Sequence, residues 1–155
     1  MDLLRRVGRR RDDAGDSVET GTGRVIVPVT GNPVDRLVIR LAGVISRRQA
    51  SQVTLVHVVE VPRSLPIDSE YQVEESQHIL DQAAREAEAM GFKADTELIQ
   101  SRDAGAAIVA EAQALNADLI LLGLPRLVAG GQPSLGKTVP HVLLHAQCRV
   151  VVVRP

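Results

Sequence analysis

The stretch DLILLGLPRLVAGGQPSLGKT, residues 118–138, decides the fold because it runs from an apolar segment through a glycine-rich loop into a helix start. Residues 118–122 suit a buried central strand, and Gly123 ends that strand at a sharp turn. Residues 124–135 contain prolines and glycines that break regular structure, which predicts a loop. After Gly136 the apolar residues repeat at helical spacing, at Val139, Val142, Leu143 and Ala146.

The start of this helix has the chemistry of an anion site. Its first backbone N–H groups have no partner within the helix, and Lys137 and Thr138 stand beside them, which favours a phosphate. Gly131, Gly136, Lys137 and Thr138 also match GxxxxGK[ST], the phosphate-binding loop of many nucleoside triphosphatases. The context argues against that alternative, because the loop does not directly follow its strand and residues 149–153 offer no carboxylate for magnesium.

The rest of the chain alternates between strand and helix patterns. Residues 24–30 (RVIVPVT) and 53–59 (VTLVHVV) are apolar and β-branched in the manner of buried strands, residues 94–99 are predicted as a further short strand, and residues 150–153 are an unbroken valine run. Helical patterns separate the strands: one enters at Asn32-Pro33, one covers residues 71–90, and one is capped by Ser101 or Asp103.

This order predicts an α/β fold with an open five-stranded parallel sheet and helices on both faces. Right-handed crossovers favour a flavodoxin-like winding, also found in adenine nucleotide alpha hydrolases, with strand order 3-2-1-4-5. The switch point then lies between the strands that end at Thr30 and Gly123, and we expect a ligand site there.

Composition limits the classes of function. The chain has 155 residues, a formal net charge of -1 and a single cysteine, Cys148. We therefore expect one compact domain without an internal disulfide, located in the cytoplasm. The near-zero charge and the scarcity of aromatic residues argue against nucleic acid as a partner. No apolar run approaches the ~20 residues of a membrane span.

Residues 1–23 differ from the rest of the chain. They combine a basic block, RRVGRRR, with an acidic patch, DDAGD, and a run of small residues. This composition predicts a flexible N-terminal tail or linker ahead of a domain at residues 24–155. The alternative is that the basic block approaches a membrane surface or an anionic partner.

Catalytic and metal-binding patterns are not found in the sequence. His57 lies within a predicted strand, and the other three histidines show no zinc-site spacing, so we expect His57 to be a core side chain and no metal to be bound. We find no paired acids and no activated nucleophile, so we predict no catalytic residues. Weak ATP hydrolysis is the most that this pattern supports.

From residue 24 onward the chain resembles a universal stress protein domain. The strand LILLG, the loop that follows it, and the closing segment HVLLHAQCRVVVVRP match the family's ending, in which the loop reads G-x2-G-x9-G-[S/T]. Gly123 and Gly136 keep the family spacing. Arg126 replaces the middle glycine and Lys137 the serine or threonine, with Thr138 one place later. Thr30 stands where the family has an aspartate.

The resemblance implies a regulatory module of stress response or signalling that binds an adenine-type nucleotide at the carboxyl edge of the sheet. The candidates are ATP, AMP or a cyclic dinucleotide, with magnesium only beside a di- or triphosphate. Val29, Val58 and Leu122 are expected to line the base, and Arg126, Lys137 and Thr138 to meet the anionic end. The remaining candidate site residues are Pro28, Thr30, Gly123 and Gly136.

A second interpretation is that the domain binds no nucleotide and serves as a dimerisation or regulatory domain, including the cytoplasmic part of a membrane transporter. Val150 begins and Val153 ends a valine run that the topology places on a sheet edge, where unpaired strands attract another chain. Universal stress domains dimerise through this last strand, so the resemblance implies a homodimer.

Overall fold

The computed structural model describes residues 5–10 and 23–155. Its strands and helices alternate along most of the chain. In chain order they are β1 (Arg5–Arg10), β2 (Arg24–Pro28), α1 (Asp35–Gln49), β3 (Gln52–Glu60), α2 (Val73–Ala89), β4 (Asp95–Ser101), α3 (Ala104–Ala114), β5 (Leu119–Gly123), β6 (Leu127–Ala129), β7 (Gln132–Ser134), α4 (Thr138–His145) and β8 (Arg149–Val153).

The main sheet has the order β1-β4-β3-β2-β5-β8. The five strands from β4 to β8 in this order pair in parallel, and β2 lies at their centre. Counted from Arg24, this is the predicted order 3-2-1-4-5, so the predicted fold class is confirmed. β8, which contains the valine run, lies at one edge of the sheet.

The other edge is occupied by β1, which the sequence analysis did not predict. β1 pairs antiparallel with β4, from Arg5 opposite Gln100 to Arg10 opposite Thr96, with an irregularity between Arg6 and Gly8. Part of the predicted flexible tail is therefore a strand. An edge strand offers unpaired backbone groups to any extended segment, so this pairing needs no apolar pattern in the added strand. Residues 1–4 and 11–22 lie outside the described part of the chain.

Helices cover both faces of the sheet. α1 and α2 pack on one face, where Val25, Val27 and Leu80 belong to one buried cluster. α3 and α4 pack on the other face, where Ile26 and Val142 belong to a second cluster. Successive residues of β2 thus point to opposite helix layers, as expected for a central strand buried on both sides. None of the helices in residues 23–155 is long and apolar enough to cross a bilayer.

Side chains bond to the backbone near the starts of α1 and α3, although only α3 has a side-chain cap. The Oδ1 atom of Asn32 accepts a hydrogen bond from the Val34 amide at 3.2 Å, which forms a turn before α1 begins. The Asp103 carboxylate accepts from the Ala106 amide at 2.8 Å and caps α3. Of the two predicted caps of α3, Asp103 is therefore the one that the structure shows.

The predicted loop after β5 contains a small hairpin. β6 and β7 pair antiparallel, and the turn between them is formed by Gly130 and Gly131, whose φ angles are 58° and 79°. Left-handed φ at both turn residues suits a two-residue hairpin, which explains the glycine pair. Because Gly131 lies in this exposed turn, it does not wrap a phosphate, and the triphosphatase-loop alternative lacks the structure that it requires.

In α4, Leu143 is 52% exposed, contrary to its predicted place on the buried face.

Candidate functional site

A cleft opens at the carboxyl end of the sheet, where the chain leaves β2 and β5 toward opposite faces. β2 leads to α1 on one face, whereas β5 leads through the hairpin to α4 on the other. The cleft has a volume of about 490 Å³. Ligand sites of open α/β sheets lie at such a switch point, outside the carboxyl ends of the strands.

Most of the residues predicted for the ligand site line this cleft. They come from the ends of β2, β3 and β5 and from the start of α4, which the topology brings to one edge of the sheet. The predicted residues found in the cleft wall are Pro28, Val29, Thr30, Val58, Leu122, Gly123, Gly136, Lys137 and Thr138.

The inner wall of the cleft is aliphatic. Val29 and Leu122 are buried at the ends of the two central strands, and Val58 on the neighbouring strand is half-buried. A flat, largely apolar group can lie against such a wall and displace water from it. This is the part of the cleft that we predicted for the base of a nucleotide.

Gly123 is required by the packing of α1 against the end of β5. A Cβ atom at this position would lie 2.9 Å from Cγ1 of Val34 and 3.0 Å from Cγ2 of Val38, closer than carbon atoms approach one another. Glycine therefore allows α1 to pack closely at the base of the cleft.

Arg126 does not lie in the cleft. Its guanidinium donates a hydrogen bond of 3.4 Å to the carbonyl of Pro155, and it lines a neighbouring groove together with Pro33 and Leu37. The structure therefore does not bring Arg126 to the anionic end of the cleft. The reason lies in the chain path, because Arg126 is the residue just before the β6–β7 hairpin and is carried with it toward the end of β8.

Lys137 forms an ion pair across the cleft. Its Nζ atom lies 2.6 Å from Oε2 of Glu60, the last residue of β3. The hydrogen bond to Glu60 raises the pKa of Lys137 above its ordinary value. The pair joins the β3 side of the cleft to the α4 side, and sequence reasoning missed Glu60 because the contact depends on the tertiary fold.

The start of α4 borders the same end of the cleft. No side chain caps this helix, whose N-terminal flanking residue is Lys137. The Gly136 amide donates to Oγ of Ser134 at 3.1 Å, and Pro140 in the first turn has no N–H group. The helix start therefore presents fewer amides to an anion than a regular helix would.

Asp35 is a cleft residue that the sequence analysis did not single out. Its Oδ2 atom accepts hydrogen bonds from the amides of Thr30 at 3.1 Å and Gly31 at 2.8 Å. Burial raises the pKa of the carboxyl to about 6, against the opposing effect of these amides. An acid in the first turn of a helix ordinarily indicates a favourable interaction with the helix dipole, so the sequence held no specific signal for this role.

His57 also lines the cleft and is not only a core side chain. Its Nδ1 atom lies 2.7 Å from the carbonyl oxygen of Val29, so Nδ1 carries the proton that is donated. Burial lowers the pKa of His57, which keeps the ring neutral at pH 7. Nε2 is then a hydrogen-bond acceptor.

The charged groups of the cleft are mainly acidic. Asp35, Glu60 and Glu75 contribute three carboxylates, whereas Lys137 is the one lysine or arginine among the described residues that line it. Within the described part of the chain, no three histidine, cysteine or acidic side chains are grouped in a way that could hold a metal ion.

Comparison with known proteins identifies the family. The profile of the Universal stress protein family matches residues 21–154. The chain belongs to the universal stress protein family. A universal stress protein of Methanocaldococcus jannaschii is 27% identical over 139 residues, which cover 84% of this chain and 81% of that relative.

Solved universal stress proteins share the fold. The structure of a universal stress protein from Archaeoglobus fulgidus in complex with dAMP has a TM-score of 0.70 at 19% identity and covers 84% of this chain and 96% of its own. A universal stress protein in complex with cAMP has a TM-score of 0.66 at 20% identity, with 87% and 98% of the two chains covered. At these identities the likeness concerns the fold alone.

Proposed function

We propose that this universal stress protein domain is a regulatory module that binds an adenine nucleotide in the cleft between the ends of β2 and β5. The base lies against Val29, Val58 and Leu122, and the phosphate lies near Lys137 and the start of α4. The observation that carries this proposal is the juxtaposition of an aliphatic wall with an uncapped helix start inside one cleft of about 490 Å³.

Two further observations support adenine as the base. Solved relatives with this fold are in complex with dAMP and with cAMP. In this chain, Nε2 of the neutral His57 is an acceptor that lines the cleft, which suits the exocyclic amino group of adenine.

Binding rather than catalysis is proposed because two of the three carboxylates in the cleft are already engaged. Asp35 accepts from two backbone amides and Glu60 is paired with Lys137. A general acid or base must be within reach of a substrate proton, whereas in this structure both carboxylates bond to other groups of the protein.

Thermal unfolding with and without nucleotides tests the proposal. We expect AMP, cyclic AMP, ATP or a cyclic dinucleotide to raise the melting temperature, by about 5 °C or more at ~100 times its dissociation constant, because a ligand of the folded state alone stabilises it. Val58→Phe fills the base region and should abolish the rise. Val44→Phe, on the exposed side of α1, is the matched control and should retain it.

Two outcomes would contradict the proposal. The first is that none of the four nucleotides changes the melting temperature. The second is a shift of equal size in Val58→Phe, because this would place the ligand outside the cleft.

The second candidate function is a dimerisation domain, and a surface feature favours it. Leu144 is 79% exposed, Leu143 is 52% exposed and Val151 is 40% exposed, and all three lie on α4 or the edge strand β8. An apolar patch beside an unpaired strand is typical of an interface between copies of a chain. We propose a homodimer through β8, which is compatible with nucleotide binding and would be the main function if the cleft binds none. Association of this domain with a membrane transporter stays a proposal.

A further inference from the structure

We infer that Glu60 is a specificity-determining residue that restricts the cleft to adenine nucleotides with one phosphate group. This inference rests on the proposed function, because it concerns the ligand of the same cleft. It is carried by the ion pair between Glu60 and Lys137 and by the acidic lining around it.

The ion pair removes the positive charge that a phosphate would otherwise meet. Lys137 is the one cationic side chain of Lys or Arg type among the described lining residues, and Glu60 lies 2.6 Å from its Nζ atom. The lysine side chain is 67% exposed and that of Glu60 is 35% exposed. Exposed ion pairs contribute little to stability, so a ligand phosphate can draw Lys137 from Glu60 at small cost.

The released carboxylate then faces the ligand. A phosphomonoester carries about −1.5 to −2 charges at pH 7, a cyclic phosphodiester carries less and a triphosphate carries more. Lys137 can offset the charge of a cyclic phosphodiester and at least half of that of a phosphomonoester, whereas further phosphates would lie against Glu60 with no second cation beside them in the described lining. Like charges at short range repel strongly where water is partly excluded.

The backbone offers few donors to compensate for this repulsion. The Gly136 amide is already bonded to Ser134, and Pro140 removes one N–H group from the first turn of α4. Arg126 lies in the neighbouring groove and is bonded to Pro155. A single phosphate can be held by Lys137 and the remaining amides, but a triphosphate chain cannot be neutralised by them.

Isothermal titration calorimetry of the full chain tests this inference, with AMP, cyclic AMP and ATP in the presence of EDTA. For the natural sequence we expect AMP and cyclic AMP to bind at least about tenfold more tightly than ATP. Glu60→Gln should tighten ATP binding by about tenfold and AMP binding by less, so that the ratio of the AMP affinity to the ATP affinity becomes smaller. Glu88→Gln, at an exposed position of α2, is the matched control and should leave all three affinities unchanged.

The outcomes separate this inference from the proposed function. If ATP binds the natural sequence as tightly as AMP, or if Glu60→Gln leaves the ratio of affinities unchanged, the role of Glu60 is wrong while nucleotide binding stands. If ATP becomes the preferred ligand in a parallel titration with magnesium in place of EDTA, and Glu60→Gln abolishes that preference, Glu60 holds a metal and does not exclude phosphates. If no variant binds any nucleotide, the proposed function fails and this inference fails with it.

Discussion

The Asp35 carboxylate accepts a hydrogen bond from the turn at the end of β2. Burial raises the pKa of this carboxyl from an ordinary value of 3.8 to about 6. Between about pH 4 and pH 6 the folded chain keeps a proton on this group that the unfolded chain has released. The contribution of Asp35 to stability therefore falls as pH rises through this window and is constant above it.

Asp35→Asn should remove this pH dependence while keeping an oxygen that accepts from the turn. A difference of about two pKa units corresponds to ~3 kcal/mol. As the pH rises from 4 to 7, the free energy of unfolding of the variant should therefore increase by about 1–3 kcal/mol relative to that of the natural chain. Urea unfolding of both proteins at several pH values measures this.

His57 also affects the pH dependence of stability. Burial lowers its pKa, so its contribution to stability rises with pH just below pH 6.5, opposite to that of Asp35. Because His57 is present in both proteins, its contribution cancels in their difference. A difference in the free energy of unfolding that stays constant from pH 4 to pH 7 would contradict the prediction.

At the scale of elements, β1 pairs with β4 through the backbone. Deleting residues 1–10 should expose one edge of β4 to water. We expect alternate amides of β4 to exchange with deuterium at least about tenfold faster, because local opening no longer has to break the β1 pairing. Hydrogen exchange followed by mass spectrometry measures this.

The amides of β5 serve as the internal control, since β5 lies between β2 and β8 and is distant from β1 in the sheet order. Faster exchange confined to β4 is the expected result. Equal protection of β4 in the truncated and full chains would show that β1 does not pair there in solution.

These elements also show what the sequence could predict. The five parallel strands followed from apolar runs, helical spacing and short connections, which are local signals, and their order followed from the right-handed crossovers of a flavodoxin-like winding. The cleft residues at Thr30 and Gly123 followed from the same topology, because the ends of neighbouring parallel strands must lie together. β1 could not be predicted, because RRVGRR carries no alternating apolar pattern and pairs through its backbone.

The side-chain partners in the site could not be predicted either. Lys137 meets Glu60 across 77 positions of sequence, and Arg126 is turned by the hairpin toward Pro155. Asp35 reads as an ordinary acid of a first helical turn, although its carboxylate is buried against the preceding turn. Such contacts depend on where the folded chain places each side chain, and no local spacing encodes them.

At the scale of the whole molecule, the exposed apolar patch on α4 and β8 predicts association of two copies. Val151→Lys should weaken the homodimer by at least about tenfold, because a lysine without a partner would be buried at the interface. Sedimentation velocity over a range of concentrations measures this.

Val44→Lys is the matched control, because Val44 and Val151 are both 40% exposed and Val44 lies on α1. It should leave the dimer intact. If both variants, or neither, become monomeric, the interface does not run through β8.

The pairing of β1 with β4 also affects how many copies of the chain can associate. A sheet with two accessible edges can add neighbours at both, and on the β4 side of this sheet the outer strand is β1, with the sequence RRVGRR. If two copies associate through β8, β1 is the outer strand at both ends of the joined sheet, where its arginines and its irregular pairing disfavour the addition of a third copy. We therefore expect the arginine-rich strand β1 to keep such an assembly at two copies.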